Sequence, residues 1–519
     1  MPRPFPTVRG EPRDAYDAVV IGAGIGGLAS AALLARAGLR VLLVEQHYMV
    51  GGYCSTFRRQ GYVFDAATHF YPLLGNPETI TGRLLQDLGV STGWIKMDPV
   101  DHFHLPDGTR FTVPADFETY RTRLDEMFPQ ESASLREFFA LVRTAYLGGL
   151  LQHFRWRDTG RGTDLDALTV RDVLDRSFRD ERLKLLLTAD CPHWGSPPCR
   201  TSFVFDSMLR LSYFLGNYYP QGGSQAFADA LALRVTMHGG EILMGTAVTR
   251  ILVHRGETRG VELLVGPARN PRRRQVRAPI VVSNADLRQT FEHMLGPKHV
   301  GAELIAHVRR MRPTYPCFLM HIGLRDIPTD VLRDCQGYYW DGWDPDRVGS
   351  DALRFKLFVP TLYEPAMAPP GGHVLIVQKV QSLDVASVSD WNTHKREVER
   401  FILSHLENLI PGIDKHVVVR LSATALTHHR FTLNHHGAML GWEMSPDQLG
   451  STRPELAAPV VGLHLVGHWT RPGGGITPVL ISAAEVARRI TARAPFASAS
   501  PTDSADASVT EDDLEAAHP

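Results

Sequence analysis

The chain has 519 residues, with 55 lysines and arginines against 56 aspartates and glutamates, a formal net charge of -1 and a hydrophobic content of 44%. This length favours about two or three domains. The balanced charge argues against a nucleic-acid partner, and the composition excludes a fibrous, largely disordered or multi-span membrane protein. The five cysteines are odd in number and form no Cys-x-x-Cys pair, so we expect neither a disulfide scaffold nor a zinc module. We expect a reducing, cytoplasmic location.

The first predicted elements form a dinucleotide-binding turn. A strand is predicted over residues 17–21, a helix over 28–37 and a second strand over 39–44. Four glycines separate the first strand from the helix: Gly22, Gly24, Gly26 and Gly27. Glycines at this turn let the backbone approach a pyrophosphate at the helix N-terminus, and Glu45 is placed to accept hydrogen bonds from a ribose. A purely structural glycine-rich turn is the alternative.

The region over 76–218 predicts helices with a hairpin. Helices are expected over 80–88, 117–128, 134–154 and 170–187, and a hairpin around 106–108. Residues 191–220 carry only three charges and are rich in aromatic residues, among them Trp194, Phe203, Phe205, Tyr213 and Phe214. These aromatic side chains either pack in the core or line an apolar tunnel for a long substrate.

Residues 224–286 return to alternating elements. Ser224 is expected to cap a helix that runs to about 237, followed by two strands within 241–265 around a turn at 255–260. The arginines over 269–277 have no interleaved aromatic residues and are typical of a solvated hairpin. The next region predicts strands over 318–323, 354–360 and 374–380 and a helix over 393–409.

Two histidine pairs, His428–His429 and His435–His436, raise the question of a metal site. In a strand, adjacent side chains point to opposite faces, and no carboxylate lies at ligand spacing. We therefore predict no metal.

A glycine-rich loop near the C-terminus complements the N-terminal turn. It follows a predicted strand over 461–466 and leads into a helix with Thr477 as the expected N-cap and Pro478 at the first helical position. The glycine pair Gly51–Gly52, close after Glu45, distinguishes flavoproteins of the glutathione-reductase type from NAD domains. The two chain ends are therefore predicted to close one FAD site.

These motifs resemble those of the FAD-dependent phytoene desaturase, carotenoid isomerase and retinol saturase superfamily, over about residues 16 to 490. The resemblance rests on segments 45–47, 51–57, 61–65, 68–71, 219–224, 282–286 and 467–483. The N-terminal segments are nearest to retinol saturases, whereas the loop from Gly467 is nearer to carotenoid desaturases and isomerases.

The resemblance implies an α/β fold, with a glutathione-reductase-like Rossmann FAD domain split along the chain and an α+β substrate-binding domain made from two inserts. The FAD domain is predicted over 16–75, 219–286 and 426–492, the substrate domain over 76–218 and 287–425, and flexible tails over 1–15 and 493–519. FAD is expected to bind non-covalently. Besides the residues named above, the predicted cofactor contacts are Gln46, Val248, Gly467, His468, Gly475 and Ile476. His69 and Tyr71 would lie beside the flavin ring, either as catalytic residues or as hydrogen-bonding support.

Three classes of function remain open. The first is an FAD-dependent oxidoreductase that desaturates or isomerises a long conjugated polyene such as a carotenoid or retinoid, with polyene or retinol saturation as the alternative direction. The second is a flavin amine oxidase, which usually has a lysine near the flavin, and the third is a flavin-binding protein without turnover. The electron partner is not indicated by any residue.

We also expect peripheral contact with a membrane, because a carotenoid-like substrate must be taken from lipid. The segment 146–156 mixes apolar, aromatic and cationic residues as an interfacial segment does. An ordinary core helix is the alternative for this segment.

Overall fold

The computed structural model describes residues 3–8, 10–67, 69–150, 152, 164–266 and 270–492. The strands are β1 (Ala18–Ile21), β2 (Val41–Val44), β3 (Thr56–Arg59), β4 (Tyr62–Asp65), β5 (Trp94–Lys96), β6 (Asp101–His104), β7 (Arg110–Val113), β8 (Tyr218–Pro220), β9 (Glu241–Leu243), β10 (Ala247–His254), β11 (Glu257–Val265), β12 (Arg272–Arg277), β13 (Ile280–Ser283), β14 (Cys317–Arg325), β15 (Gly337–Trp340), β16 (Leu353–Phe358), β17 (Gly372–Val380), β18 (Val417–Ala423) and β19 (Leu463–Leu465). The helices are α1 (Ile25–Arg36), α2 (Ile80–Asp87), α3 (Phe117–Met127), α4 (Ser132–Gly149), α5 (Val170–Ser177), α6 (Glu181–Leu186), α7 (Phe203–Phe214), α8 (Ser224–Met237), α9 (Ala302–Arg310), α10 (Thr329–Cys335), α11 (Trp391–Leu409), α12 (Ala425–Thr432) and α13 (Ile476–Thr491).

A parallel sheet brings together distant parts of the chain. In the described residues its strand order is β19-β13-β1-β2-β9, and every neighbouring pair is parallel. Strands β1 and β2 are buried along their whole length, as expected for a parallel sheet covered on both faces. Helices α1, α8 and α13 share one hydrophobic cluster with the strands, in which Leu28, Phe227 and Leu480 are fully buried. The fold is therefore α/β, with a Rossmann-like sheet, as the sequence predicts.

A second, mixed sheet has the order β18-β14-β17-β16-β15-β6-β7 within the described chain. Its neighbours are antiparallel except for the parallel pair of β15 with β6. Helix α11 covers one face, where Ile402 and Leu406 pack with Phe318 and Phe355. The other face meets a larger cluster to which helices α3, α4, α5 and α7 contribute. The domain boundaries predicted from the sequence stay a prediction.

Several predicted elements differ from the structure. The helix expected over 170–187 is two helices, α5 and α6, because Phe178 is extended and Asp180 caps α6 by accepting a hydrogen bond from the Arg182 amide. Ser224 is the first residue of α8 rather than its cap, which is Gly223 at φ 80°.

Thr477 is likewise not the cap of α13. That helix begins at Ile476 after Gly475, whose φ of 98° is a left-handed value that favours glycine. The Thr477 hydroxyl instead donates to the Pro72 carbonyl, at 3.1 Å, and so joins the two ends of the chain.

The region over 241–277 holds three hairpin strands, β10, β11 and β12, in one antiparallel sheet. The turn between β10 and β11 is shorter than predicted and consists of Arg255 and Gly256. Three of the four arginines of β12 are partnered by acidic side chains: Arg272 and Arg274 contact Glu11, and Arg273 contacts Glu262. The predicted C-terminal tail, 493–519, and most of residues 151–163 lie outside the described residues.

Candidate cofactor and substrate cavity

A cavity of about 850 Å³ lies where the parallel strands end. Its wall includes Ile21 and Val44, the last residues of β1 and β2, and also Cys317 and Leu421 from β14 and β18 of the mixed sheet. Ligands of open α/β sheets bind at the carboxyl ends of the strands, where the chain turns into helices. The position of the cavity is therefore that of a nucleotide site that continues toward the second sheet.

Most of the residues predicted to contact the cofactor line this cavity. They are Gly22, Gly24, Gly26, Glu45, Gln46, Gly51, Gly52, Val248, Gly467, His468, Gly475, Ile476 and Thr477. Gly27 does not line the cavity. A Cβ at Gly27 would lie 1.9 Å from the carbonyl oxygen of Gly22, so this glycine lets α1 pack against the turn.

The two glycine-containing turns at the N-terminal side meet backbone to backbone. The amide of Gly51 donates to the Ala23 carbonyl at 2.7 Å, and a Cβ at Gly52 would lie 3.4 Å from the Cα of Gly24. The result is a cradle at the N-terminus of α1 to which the glycines contribute backbone alone, and there backbone amides and the helix dipole favour a phosphate group. These residues fit the pyrophosphate of a dinucleotide.

Glu45 is held as a fixed acceptor beside this cradle. One carboxylate oxygen accepts from the Ala23 amide at 2.7 Å, and the other accepts from the His47 amide at 2.8 Å. Burial raises the pKa of Glu45, although the backbone amides of His47 and Ala23 oppose the shift. The carboxylate thus ties the end of β2 to the glycine turn and faces the cavity with its remaining lone pairs.

Asn284 is a site residue that the sequence analysis did not single out. It follows β13 and lines the cavity, and its backbone N–H donates to the Ile21 carbonyl at 2.9 Å. Its side chain lies in the centre of the glycines, since a Cβ at Gly24 would be 2.8 Å from its Nδ2 and one at Gly26 would be 2.5 Å from its Oδ1. The sequence did contain an indication that Asn284 belongs to the site, because segment 282–286 resembles a family landmark and ends a strand next to β1.

The C-terminal loop closes the cradle from the other side. The amide of Gly467 donates to the Ser482 hydroxyl at 3.1 Å, and the buried Arg453 guanidinium donates to the His468 carbonyl at 2.8 Å. Burial lowers the pKa of His468 to about 3, helped by the positive charge of Arg453, so this histidine is neutral. The loop is thus rigidly supported from behind.

Comparison with known families identifies the chain. The model of a family described as flavin containing amine oxidoreductase matches residues 25–491. The chain belongs to this family. Because the family contains a flavin and the cradle fits a dinucleotide, the cofactor is FAD, and this family member is an FAD-dependent oxidoreductase.

Similar proteins cover nearly the whole chain. Prolycopene isomerase 2, chloroplastic, of an Oncidium hybrid cultivar is 28% identical over 95% of this chain and 86% of its own length. The neurosporene-forming phytoene desaturase of Cereibacter sphaeroides is 28% identical over 93% of this chain and 96% of its own. The resemblance to carotenoid desaturases and isomerases noted in the sequence is confirmed.

Solved structures show the same fold at low identity. An oxidoreductase from Methanosarcina mazei aligns with a TM-score of 0.64 at 19% identity, covering 91% of this chain and 99% of that one. Wild-type putrescine oxidase bound to putrescine aligns with a TM-score of 0.64 at 16% identity, covering 94% and 100% of the two chains.

In this flavoprotein the predicted tunnel aromatics divide into two groups. Trp194, Phe205 and Tyr213 line the cavity, whereas Phe203 and Phe214 do not. Phe203 is fully buried against the ring of Phe138, with centroids 6.0 Å apart, and Phe214 packs on the rings of Phe117 and Tyr120. One α7 face thus meets the cavity and the other meets the core.

The two residues predicted beside the flavin ring, His69 and Tyr71, also differ in their position relative to the cavity. His69 lines the cavity and is only 5% exposed. Tyr71 does not line it and packs between Trp94 and Phe227, with ring centroids 5.8 and 6.0 Å away.

A series of buried, hydrogen-bonded side chains lies behind His69. The sequence did not predict it. Lys356 on β16 donates to Asp101 on β6 at 2.8 Å and to the Tyr338 hydroxyl at 3.2 Å. Tyr338 Oη lies 2.6 Å from Nδ1 of His193, which lines the cavity. Because Asp101 and Lys356 are 255 residues apart, no local sequence pattern could reveal this chain of contacts.

The paired histidines do not lie on a strand, so the premise of that prediction is wrong. His428 and His429 are in α12, whose capping box begins at Thr424, and His435 and His436 are in a 3₁₀ turn. His428 Nε2 bonds the Cys317 carbonyl at 3.1 Å. Over the described residues, no group of three His, Cys, Asp or Glu side chains is placed to hold a metal ion.

Proposed function

We propose that this family member acts on a long, apolar conjugated polyene, by desaturation or cis-trans isomerisation. The observation that carries the proposal is the single cavity that joins the dinucleotide cradle to an apolar wall. Beyond the glycines that wall includes Phe205, Met208, Leu209, Met439 and Leu440. An apolar wall of this kind buries a hydrocarbon chain and excludes water from the reacting carbon atoms. The relatives named as a prolycopene isomerase and a phytoene desaturase support the same substrate class.

The residues of the cradle have separate roles in this proposal. The glycine turn and the amides at the start of α1 hold the pyrophosphate, Glu45 accepts hydrogen bonds from a ribose, and the backbone at Val248 faces the adenine. The loop from Gly467 to Thr477, which lines the cavity, would hold the flavin ring. FAD, bound non-covalently, supplies the hydride chemistry, and the chain's own groups orient the substrate and keep the site dry.

Amine oxidation is the second candidate, favoured by the family description and the fold of putrescine oxidase. The cavity argues against it. Of the described residues that line the cavity, none is a lysine, and Glu45 in the cradle is the sole carboxylate. A cationic amine would therefore find no partner charge beyond the cradle, whereas a hydrocarbon needs none.

One experiment separates these classes. Purified holoprotein, either oxidised or chemically reduced beforehand, is mixed anaerobically with polyenes or with amines, and the loss or return of the oxidised-flavin absorbance is recorded together with the product mass. Loss of two hydrogen atoms from a polyene indicates desaturation, unchanged mass with altered geometry indicates isomerisation, and a gain of two hydrogens indicates saturation. Bleaching by amines alone would overturn the proposal, and no response to either substrate would favour a flavin-binding protein without turnover.

We further propose peripheral contact with lipid. In the described part of the chain, no helix is long and apolar enough to cross a membrane. Tyr146 and Leu150, at the start of the predicted interfacial segment, line the cavity, which supports an entrance near this segment; residues 151 and 153–156 lie outside the described residues. Liposome flotation tests the contact: recovery of all protein in the soluble fraction, with activity indifferent to lipid, would contradict it.

A further inference from the structure

A buried arginine behind the C-terminal loop carries a charge that no carboxylate neutralises. Arg453 is 1% exposed, and burial lowers its pKa to about 9, so the guanidinium stays charged at neutral pH. Its five N–H groups all donate to backbone carbonyls, at 2.8 to 3.4 Å: those of Trp442, Glu443, Gln448, His468 and Thr470. A buried cation without a counter-ion costs free energy, and carbonyl dipoles recover part of this cost.

The acidic side chains of the segment around Arg453 are paired with other arginines. Glu443 is 1% exposed and contacts Arg200 at 2.6 Å and Arg312 at 3.1 Å, so two cations face this one anion. The other acids of segment 442–455, Asp447 and Glu455, contact Arg312 and Arg471. Within the part of the chain that the structure describes, no acidic side chain forms an ion pair with Arg453, and its charge stays uncompensated.

The charge of Arg453 lies directly behind the cavity wall. His468 lines the cavity, and its carbonyl accepts from Arg453 at 2.8 Å. A Cβ at Gly473 would lie 3.6 Å from Cζ of Arg453, and the next residue, Gly474, is again part of the wall. Burial lowers the pKa of His468 to about 3, and the charge of Arg453 adds to this shift. The charge therefore acts on a residue of the cavity wall across one layer of backbone.

A fixed charge in this position bears on the reduction of a flavin. Two-electron reduction of FAD with uptake of one proton leaves one negative charge on the ring system, and nearby protein charges tune this step. A cation held inside a dry wall stabilises such a charge more strongly than a cation in water does, because the local dielectric constant is low. Stabilising the reduced form raises the reduction potential, so the flavin accepts a hydride more readily.

We propose that the buried charge of Arg453 raises the reduction potential of the bound flavin and thereby favours removal of hydrogen from the polyene over its addition. In the favoured direction, the polyene gives a hydride to the flavin and releases a proton, so two electrons and two hydrogens leave its carbon atoms and a double bond forms. This inference rests on the proposed function, because it assumes that the loop over 467–477 holds the flavin ring.

The test measures the flavin potential of the holoprotein in the absence of substrate. The oxidised protein is reduced slowly together with a reference dye, and the equilibrium constant for reduction is obtained from the two absorbances. Arg453→Met should lower this constant at least about tenfold, which is about 30 mV for a two-electron couple. Arg453→Lys keeps a cation but has three donors instead of five, so the constant should stay within about threefold of the wild-type value. All proteins are compared at about pH 6, to keep a buried lysine charged.

Sulfite binding is a second measure of the same charge. The sulfur lone pair of sulfite forms a bond to flavin N5, and the displaced electron pair leaves a negative charge on the ring, as reduction does. The dissociation constant for sulfite should therefore rise about tenfold in Arg453→Met and stay near the wild-type value in Arg453→Lys.

Arg488→Met is the matched control for both measurements. It also removes one cation, from helix α13, which follows the loop. The Arg488 side chain is 68% exposed, so water and salt screen its charge. Neither the potential nor the sulfite affinity should change in this variant.

The outcomes separate the charge of Arg453 from its hydrogen bonds and from the proposed function. An unchanged potential in Arg453→Met overturns the inference, and so do equal falls in Arg453→Met and Arg453→Lys, which would show that loop packing acts instead of charge. If Arg453→Met loses its flavin, the wild type decides: its reduced flavin should stay anionic at a pH where free reduced flavin is protonated at N1, and a protonated form overturns the inference. A potential shift in Arg453→Met without any reaction with polyenes overturns the proposed function alone.

Discussion

The cavity has two ends that are built in different ways. At the cradle end, backbone atoms form most of the site beside the side chains of Glu45 and Asn284, and the glycines at 22–27 and 51–52 leave it open by having no side chains. At the polar end, formed by His69, His193 and Tyr213, side chains form the site, and His193 is held by Tyr338, 145 residues away in the sequence. Substitutions at the cradle end should therefore act on cofactor binding, and substitutions at the polar end should act on stability and on the choice of ligand.

The largest expected effect tests the cradle. Gly27→Ala should abolish folding to the flavin-containing form, since its Cβ would meet the Gly22 carbonyl oxygen at 1.9 Å, and backbone cannot yield as a side chain can. We expect a loss of more than about 4 kcal/mol in the free energy of unfolding.

Gly24→Val should fold but lose flavin, because its Cβ meets only the Asn284 side chain, at 2.8 Å, yet fills the phosphate space.

The flavin-to-protein absorbance ratio and the melting temperature check both cradle variants. Gly148→Ala is the control, since Gly148 is a helical glycine whose added Cβ would meet nothing within 4 Å. Full flavin content in purified Gly24→Val would show that the pyrophosphate of FAD does not bind beside Gly24.

The next largest effect belongs to the polar end. Lys356→Met leaves the 9% exposed Asp101 carboxylate buried without its partner, which should lower the free energy of unfolding by about 3 to 5 kcal/mol. Flavin affinity in the folded fraction should stay near that of the wild type, since Lys356 does not line the cavity. Denaturant titration measures the stability; a stable variant that loses flavin would contradict the separation of the two ends.

The cradle end and the polar end also differ in how far the sequence predicts them. The cradle was predictable because β1, the glycine turn, α1 and β2 are consecutive, so each contact is written in neighbouring residues. The errors there were local: Ser224 lies one residue, and Thr477 two residues, beyond the N-cap of its helix.

The polar end was only partly predictable. His69 and Tyr213 were named for other reasons, whereas Tyr338, Lys356 and Asp101, which lie behind His193, meet through pairing of strands β15, β16 and β6. Register between such distant strands is set by tertiary packing, which a single sequence does not display.

Acid should destabilise the protein through histidines at both ends. Burial lowers the pKa of His69 and His468 to about 3 and of His321 and His428 to about 4. Each folded-state pKa lies below the unfolded value of about 6.5, so the unfolded chain takes up more protons and stability is lost as the pH falls from that value.

Two buried carboxyl groups offset part of this loss. Burial raises the pKa of Asp65 to about 6 and of Asp190 to about 7, so their folded forms bind protons first and gain stability as the pH falls. These six groups together give a loss of roughly 3 to 5 kcal/mol between about pH 7 and pH 5. Denaturant titrations across this range measure it, and His321→Gln should flatten the slope; stability that rises steadily toward pH 5 would show that these histidines are not held neutral.

A smaller effect is expected for Glu45→Ala. The substitution removes acceptors from the Ala23 and His47 amides but leaves the glycine turn intact, so FAD affinity should fall about tenfold rather than vanish. Fluorescence of released flavin measures the dissociation constant. Glu45→Gln, which keeps one carbonyl acceptor, should lie between Glu45→Ala and the wild type, and an unchanged affinity in Glu45→Ala would exclude a role in holding the ribose.

The smallest effect on stability compares two aromatic residues of α7 that the sequence could not tell apart. Phe203 is fully buried in the core, whereas Phe205 is half-buried and lines the cavity. Phe203→Leu should lower the free energy of unfolding by about 1 to 1.5 kcal/mol, because the surrounding core cannot close over the missing ring atoms. Phe205→Leu should cost less than about 0.5 kcal/mol but weaken polyene binding about threefold, because the lost contact area faces the ligand. Equal losses of stability in the two variants, with no change in polyene binding, would mean that Phe205 belongs to the core and that the apolar wall lies elsewhere on α7.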